Sequence, residues 1–156
     1  MTDQTEAAES LWMEAYLLSK CKSFQSVQEF IESGFAHLTP ASSDEIDRVR
    51  FFRLLALVTS AESFRSRGEK YDRESVVKTA VELLDKPLFD ISNQTVITNS
   101  LIPLLAAQQE LSLATQLAGS LRERLDESAA AAEPKSRQRL KNLLRLAKHY
   151  RLGLDD

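Results

Sequence analysis

Cys21, His37 and His149 are the side chains best suited to nucleophilic or proton-transfer work, and the chain has no other cysteine or histidine. Cys21 lies between Lys20 and Lys22, and cations near a helix N-terminus lower a thiol's pKa toward the reactive thiolate. A small packing residue in a turn accounts for the same cysteine without chemistry. His37 follows an apolar helix, where an imidazole caps carbonyls or bonds to the backbone more readily than it abstracts a proton. Glu123 and Glu127 have the i,i+4 spacing of carboxylates sharing a helix face, which a solvated surface explains equally well.

The inventory excludes more than it offers. There is no HExxH, no pair of Glu-x-x-His motifs and no cysteine cluster, so zinc and di-iron sites lack their ligands. Gly34, Gly68, Gly119 and Gly153 are too dispersed for a GxGxxG or GxxxxGK[ST] phosphate loop, and no GxSxG elbow occurs. The expectation is a protein with no catalysis and no cofactor.

Charge supplies the strongest local signal. At about 100° per residue, Arg137, Lys141, Arg145 and Lys148 form one stripe of a helix whose opposite side carries Leu140, Leu143, Leu146, Ala147 and Tyr150. A helix of this kind docks by one face and shows positive charge on the other. Such a stripe contacts phosphates, an acidic partner or anionic lipid, although no aromatic platform, helix-turn-helix or RNA-binding signature accompanies it. The first helix, with Asp3, Glu6, Glu9 and Glu14, carries the opposite sign.

Helices are the only elements the pattern calls for, because no sustained apolar/polar alternation occurs and the few glycines and prolines mostly fall between periodic segments. The segment Ser42 to Ser66 is the organising one. Ser42 and Glu45 have capping-box spacing, and Phe51, Phe52, Leu54, Leu55, Ala56, Leu57 and Val58 are interrupted only by Arg53. So wide an apolar sector needs neighbours on more than one side, so this helix is expected at the centre of an all-α domain. It should stop near Gly68, a natural left-handed residue.

Before it come a helix at about Thr5 to Lys20, with Ala8, Leu11, Ala15 and Leu18 inward, and one capped by Ser23 or Ser26, with Phe24, Val27, Ile31 and Phe35 buried. The short connection makes them an antiparallel hairpin. After it, Asp72 starts a fourth helix that ends before Pro87, and Leu88, Phe89 and Ile91 should reach back to the core. A fifth begins near Ser92 or Asn93, and Pro103 either kinks it or lies in the first turn of a restart at Ser100. A sixth carries Leu111, Ala114, Leu117, Ala118, Leu121 and Leu125, with Gly119 suggesting a close backbone approach. The alanine-rich stretch 126–135 reads as a frayed extension with a mobile link over 128–133, before a C-terminal capping helix at 134–152 delimited by Pro134 and Gly153.

At 156 residues, with 28% charged and 43% hydrophobic residues, the chain suits one soluble domain, 1–156, that needs no metal or disulfide staple. A net charge of −3 is too small to point to a polyionic partner, and a lone cysteine suits a reducing compartment. The acidic N-terminus lacks a signal-peptide pattern and no apolar run is long enough to span a bilayer, so a cytoplasmic location without membrane attachment is expected.

Turns near Lys22, Glu69 and Gln109 recur at roughly the 40–47-residue period of paired-helix solenoids, dividing 5–127 into three hairpins. In the first, Leu11, Ala15, Leu18, Phe24, Val27, Ile31 and Gly34 occupy the large and small positions of a tetratricopeptide repeat, with Pro40 one place late. In the third, Leu101, Leu105, Leu111, Ala114 and Ala118 keep the spacing, while Ile102 and Leu121 replace small residues. The middle pair aligns only with a slip of about two residues. The chain thus resembles a degenerate tetratricopeptide-like array. That resemblance implies a groove binding a peptide or partner helix, with Glu14, Arg53 and Asn99 as candidate contacts, although no carboxylate-clamp pattern carries over. A non-catalytic protein-interaction module is the expected function; nucleic-acid or acidic-partner binding through Arg137, Lys141, Arg145 and Lys148 is the alternative. Self-association would show as Trp12 or Tyr16 at the surface.

Overall fold

A computed structural model describes residues 3–131 and 133–154. The chain is all-α, with seven helices among the described residues: α1 Thr5–Leu18, α2 Phe24–Ala36, α3 Ser43–Ser66, α4 Arg73–Asp85, α5 Ile91–Ala107, α6 Leu111–Ala130 and α7 Ser136–His149. The chain gathers into two compact units, Met1–Val76 and Val77–Asp156. Helix α4 straddles the division.

In the first unit α3 lies along both α1 and α2. Ser42 Oγ accepts the Glu45 N–H at 3.1 Å, and the Glu45 carboxylate reaches back one residue further than in the standard box, accepting the Ala41 N–H at 2.8 Å. Val49, Ala56 and Phe64 of α3 join Ala8, Ala15, Val27, Ile31 and Phe35 in one buried cluster. Phe51, Leu54, Leu55, Val58 and Ala61, on the other side of the same helix, are buried as well. The wide apolar sector of α3 is therefore out of water on both sides, as its pattern requires.

Three contacts order the helices. Arg48 meets Asp3 at 3.5 Å, Trp12 Nε1 donates to Thr59 Oγ1 at 3.3 Å, and Arg67 Nη2 donates to the Ser19 carbonyl at 2.7 Å. Residue numbers rise together along both helices, so α1 and α3 run parallel. The Phe24 ring meets Phe64 edge-on at 5.6 Å, at the start of α2 and the end of α3, which makes α2 antiparallel to them. Ala8, Ala15 and Ser19 have no exposed surface, and these small side chains let α1 lie close to its neighbours. The tightest approach is at Gly34, where a Cβ would stand 2.7 Å from Leu11 Cδ2.

The second unit is organised around α6, which packs against both α5 and α7. Asp90 caps α5, its carboxylate accepting the N–H groups of Ser92 and Asn93 at 2.7 and 3.3 Å, so the helix begins two residues before the expected Asn93 and one before Ser92. The helix continues through Pro103 without restarting at Ser100, whose hydroxyl donates to the Val96 carbonyl at 2.9 Å. Leu101, Ile102, Leu104 and Leu105 around the proline are fully buried, and this burial outweighs the missing backbone donor, a cost of about 3 kcal/mol.

Several expectations are corrected here. Leu88 is buried and its N–H donates to the Gln94 side chain at 2.7 Å, whereas Phe89, expected to reach the core, is 81% exposed. Helix α6 runs to Ala130, so 128–130 of the expected link are helical, because alanine continues the α6 hydrogen-bond ladder until the chain approaches Pro134. The alanine at 132 lies outside the described residues. Gly119 marks no close backbone approach among the described residues; a Cβ added there would meet only Leu154 Cδ2, at the ordinary contact distance of 3.9 Å.

Two features beyond the sequence reading hold helix ends. Arg124 of α6 spans the α4–α5 connection, donating from Nη1 and Nη2 to the Leu88 and Phe89 carbonyls at 2.7 and 2.8 Å. Helices α3, α5 and α7 all finish in Schellman motifs, with left-handed residues Gly68 (φ 70°), Gln109 (φ 62°) and Arg151 (φ 58°). The diagnostic bonds run from Glu69, Glu110 and Leu152 N–H to the carbonyls of Phe64, Leu105 and Ala147, at 2.9, 2.8 and 2.8 Å. Gly68 fulfils its expected part. Gln109 and Arg151 do the same with a Cβ, at a cost of about 1 kcal/mol each.

Replacing Gln109 by glycine should therefore raise the unfolding free energy by about 0.5–1 kcal/mol, and Gly68→Ala should lower it by a similar amount. Both are read from denaturant midpoints at unchanged m-value. Arg124→Met, which removes two charged donors from carbonyls, should cost about 1.5–3 kcal/mol in the same assay, with Arg124→Lys recovering part of it.

Candidate functional site

Helix α7 owes its position to one side of its surface. Ser136, Leu143 and Ala147 are buried, and Leu140, Leu146 and Tyr150 are half-buried. Its N-terminal end is tied by Arg139 Nη2, which donates to Ser92 Oγ at 2.7 Å, placing the starts of α7 and α5 together. The other end is closed by the Arg151 turn, with Leu152 buried beneath it. The helix is shorter than 134–152 because Lys135 provides no side-chain cap and because Arg151, in place of Gly153, adopts the left-handed conformation that ends it.

Arg137, Lys141, Arg145 and Lys148 all stand exposed on the far side. They lie within about 80° of the helix circumference and extend about 16 Å along it. None makes an ion pair or hydrogen bond with a described side chain, whereas Arg48, Arg65, Arg67 and Arg122 are each paired with a carboxylate. Seven basic residues and no acidic one occur between Pro134 and Leu154. Along one edge of the stripe Gln138 Nε2 donates to Asn142 Oδ1 at 3.0 Å, adding an amide rim that periodicity alone did not single out. Lys148 and His149 sit in the last turn, where positive charge complements the helix dipole, while Arg137 sits in the first turn, where it opposes it.

The remaining candidates lie on other helices. Glu14 on α1 and Arg53 on α3 are exposed in the first unit, with no ion pair between them. Asn99 belongs to the second unit and is half-buried, its Oδ1 buried without a hydrogen-bond partner. Its backbone carbonyl faces the position at which Pro103 lacks a donor. On α1, Trp12 is half-buried and packs tilted on Phe52 at 5.9 Å, while Met13, Tyr16 and Leu17 form a small exposed apolar ridge.

Cys21 and His37 are both exposed, in the turns that follow α1 and α2. Shifted acidities occur at surface ties in the first unit. Hydrogen bonds from Thr5 lower the Asp3 carboxyl below its usual range, and the Arg67 guanidinium does the same to Glu69 while its own pKa is raised. Among the described residues, no three of His, Cys, Asp and Glu converge as a metal-binding group, and no helix is long and apolar enough to cross a membrane. No protein-family model, curated protein or solved structure matches the chain.

Because the four cations hold no side chain among the described residues, neutralising them together (Arg137→Gln, Lys141→Gln, Arg145→Gln, Lys148→Gln) should leave helicity unchanged. The unfolding free energy should change by less than about 1 kcal/mol. Circular dichroism and urea denaturation check both.

Proposed function

We propose that this chain is a non-catalytic, protein-binding helical module whose recognition face is the basic side of α7. The observation that carries this is the division of α7 into a docked apolar face and an exposed face of four cations without a side-chain partner among the described residues. Arg48, Arg65 and Arg67, by comparison, meet carboxylates, and Arg124 meets two carbonyls. Cations held on a fixed helix with no such partner are available to an external anion at little ordering cost.

The tetratricopeptide-like reading belongs to the same proposal. It is supported by the parallel course of α1 and α3 with α2 antiparallel to both, the arrangement that stacked helical hairpins generate, and by the fit of Gly34 against Leu11. In this reading the hairpins serve as the scaffold and α7 as the contact element. Cytoplasmic residence is also part of it, supported by the single cysteine, Cys21.

The test is titration of the full chain with poly-L-glutamate at low salt, followed by light scattering or tryptophan fluorescence. The expected result is binding that weakens as salt rises and disappears in the fourfold glutamine variant. Absence of binding, or binding indifferent to those four substitutions, overturns the proposal.

A further inference from the structure

The shape of the basic face narrows the kind of partner. Arg137, Lys141 and Arg145 follow each other at about 6 Å along the axis and Lys148 at about 4.5 Å, the spacings of residues four and three apart on any helix. A second helix bearing carboxylates three and four residues apart carries its charges at the same intervals. Laid antiparallel beside α7, it would bring a carboxylate to each cation, with the two helix dipoles opposed. Arg137 and Arg145 can grip a carboxylate with two donors, and Lys141 and Lys148 supply point charges between and beyond them.

Other anions fit less well. The apolar side of α7 is docked through Leu143 and Ala147, so the helix has no face free to enter a bilayer. No aromatic side chain is exposed within the stripe to stack on bases. One narrow, acidic helix can meet all four cations at once.

Resting on the reading of α7 as the recognition face, we infer that its occupant is an acidic α-helix of a partner protein, seated antiparallel along Arg137, Lys141, Arg145 and Lys148. The probes are two alanine-based helical peptides of identical composition. One carries glutamate at i, i+3, i+7 and i+11, and the other has the same glutamates distributed around the helix. A short random-sequence DNA duplex is the third probe, and poly-L-glutamate reports on the recognition face as such.

Fluorescence anisotropy should show the striped peptide binding about 10-fold or more tighter than the dispersed one. That preference should vanish in the fourfold glutamine variant, and amide chemical-shift changes should be confined to α7 and its immediate neighbours. Equal affinity for the two peptides, or tighter binding of the duplex than of the striped peptide, overturns the inference while poly-L-glutamate binding keeps the wider reading. Loss of all binding, poly-L-glutamate included, overturns both.

Discussion

The constraint on which the first unit depends is the enclosure of α3. A helix whose apolar residues occupy most of its circumference cannot rest on a core by one stripe, because whichever side faces water leaves large side chains exposed. Burial of Val49, Ala56 and Phe64 on one side and of Phe51, Leu54, Leu55 and Val58 on the other meets that demand. The packing of α1 and α2 follows from it. Small residues Ala8, Ala15 and Ser19 keep α1 close, Trp12 stacks on Phe52 and bonds Thr59, and Gly34 makes room for Leu11.

Polar groups then decide where each helix stops. A helix end leaves carbonyls and N–H groups without partners, and about half of the ends here are satisfied by a local device. Ser23, Ser42, Asp72 and Asp90 accept the first N–H groups of α2 to α5, and three Schellman turns close α3, α5 and α7. Arginines also act across longer distances. Arg67 ties the end of α3 to the Ser19 carbonyl, and Arg124 ties α6 to the start of α5. Guanidinium groups suit this work because several donors project in one plane.

Helix α7 shows how the same residue type serves two ends. Arg139 is drawn into the fold by Ser92, while Arg137 and Lys141, two residues either side of it, are turned about 160–200° away and remain free. Docking of Leu143 and Ala147 fixes which cations face outward, and the absence of nearby described partners leaves their charge uncompensated.

Much of this was legible in the sequence because it depends on residues close together in the chain. The all-α class, the Ser42 cap, the Gly68 turn, the central character of α3 and the basic stripe of α7 all follow from spacing and local hydrogen-bond chemistry, which operate within a turn or two of helix. Other features needed three-dimensional neighbours. Whether Pro103 breaks α5 depended on the burial around it, and whether Gly34 or Gly119 marks a close approach depended on where Leu11 and Leu154 came to lie. Phe89 shows the same limit from the other side: an apolar residue in a connector looks like core, yet Arg124 holds that connector by its carbonyls and leaves the ring in water. Periodicity by itself determined which residues share a face of each helix. Only the tertiary structure decided what each face meets, because that rests on contacts between residues tens of positions apart, which no local pattern encodes.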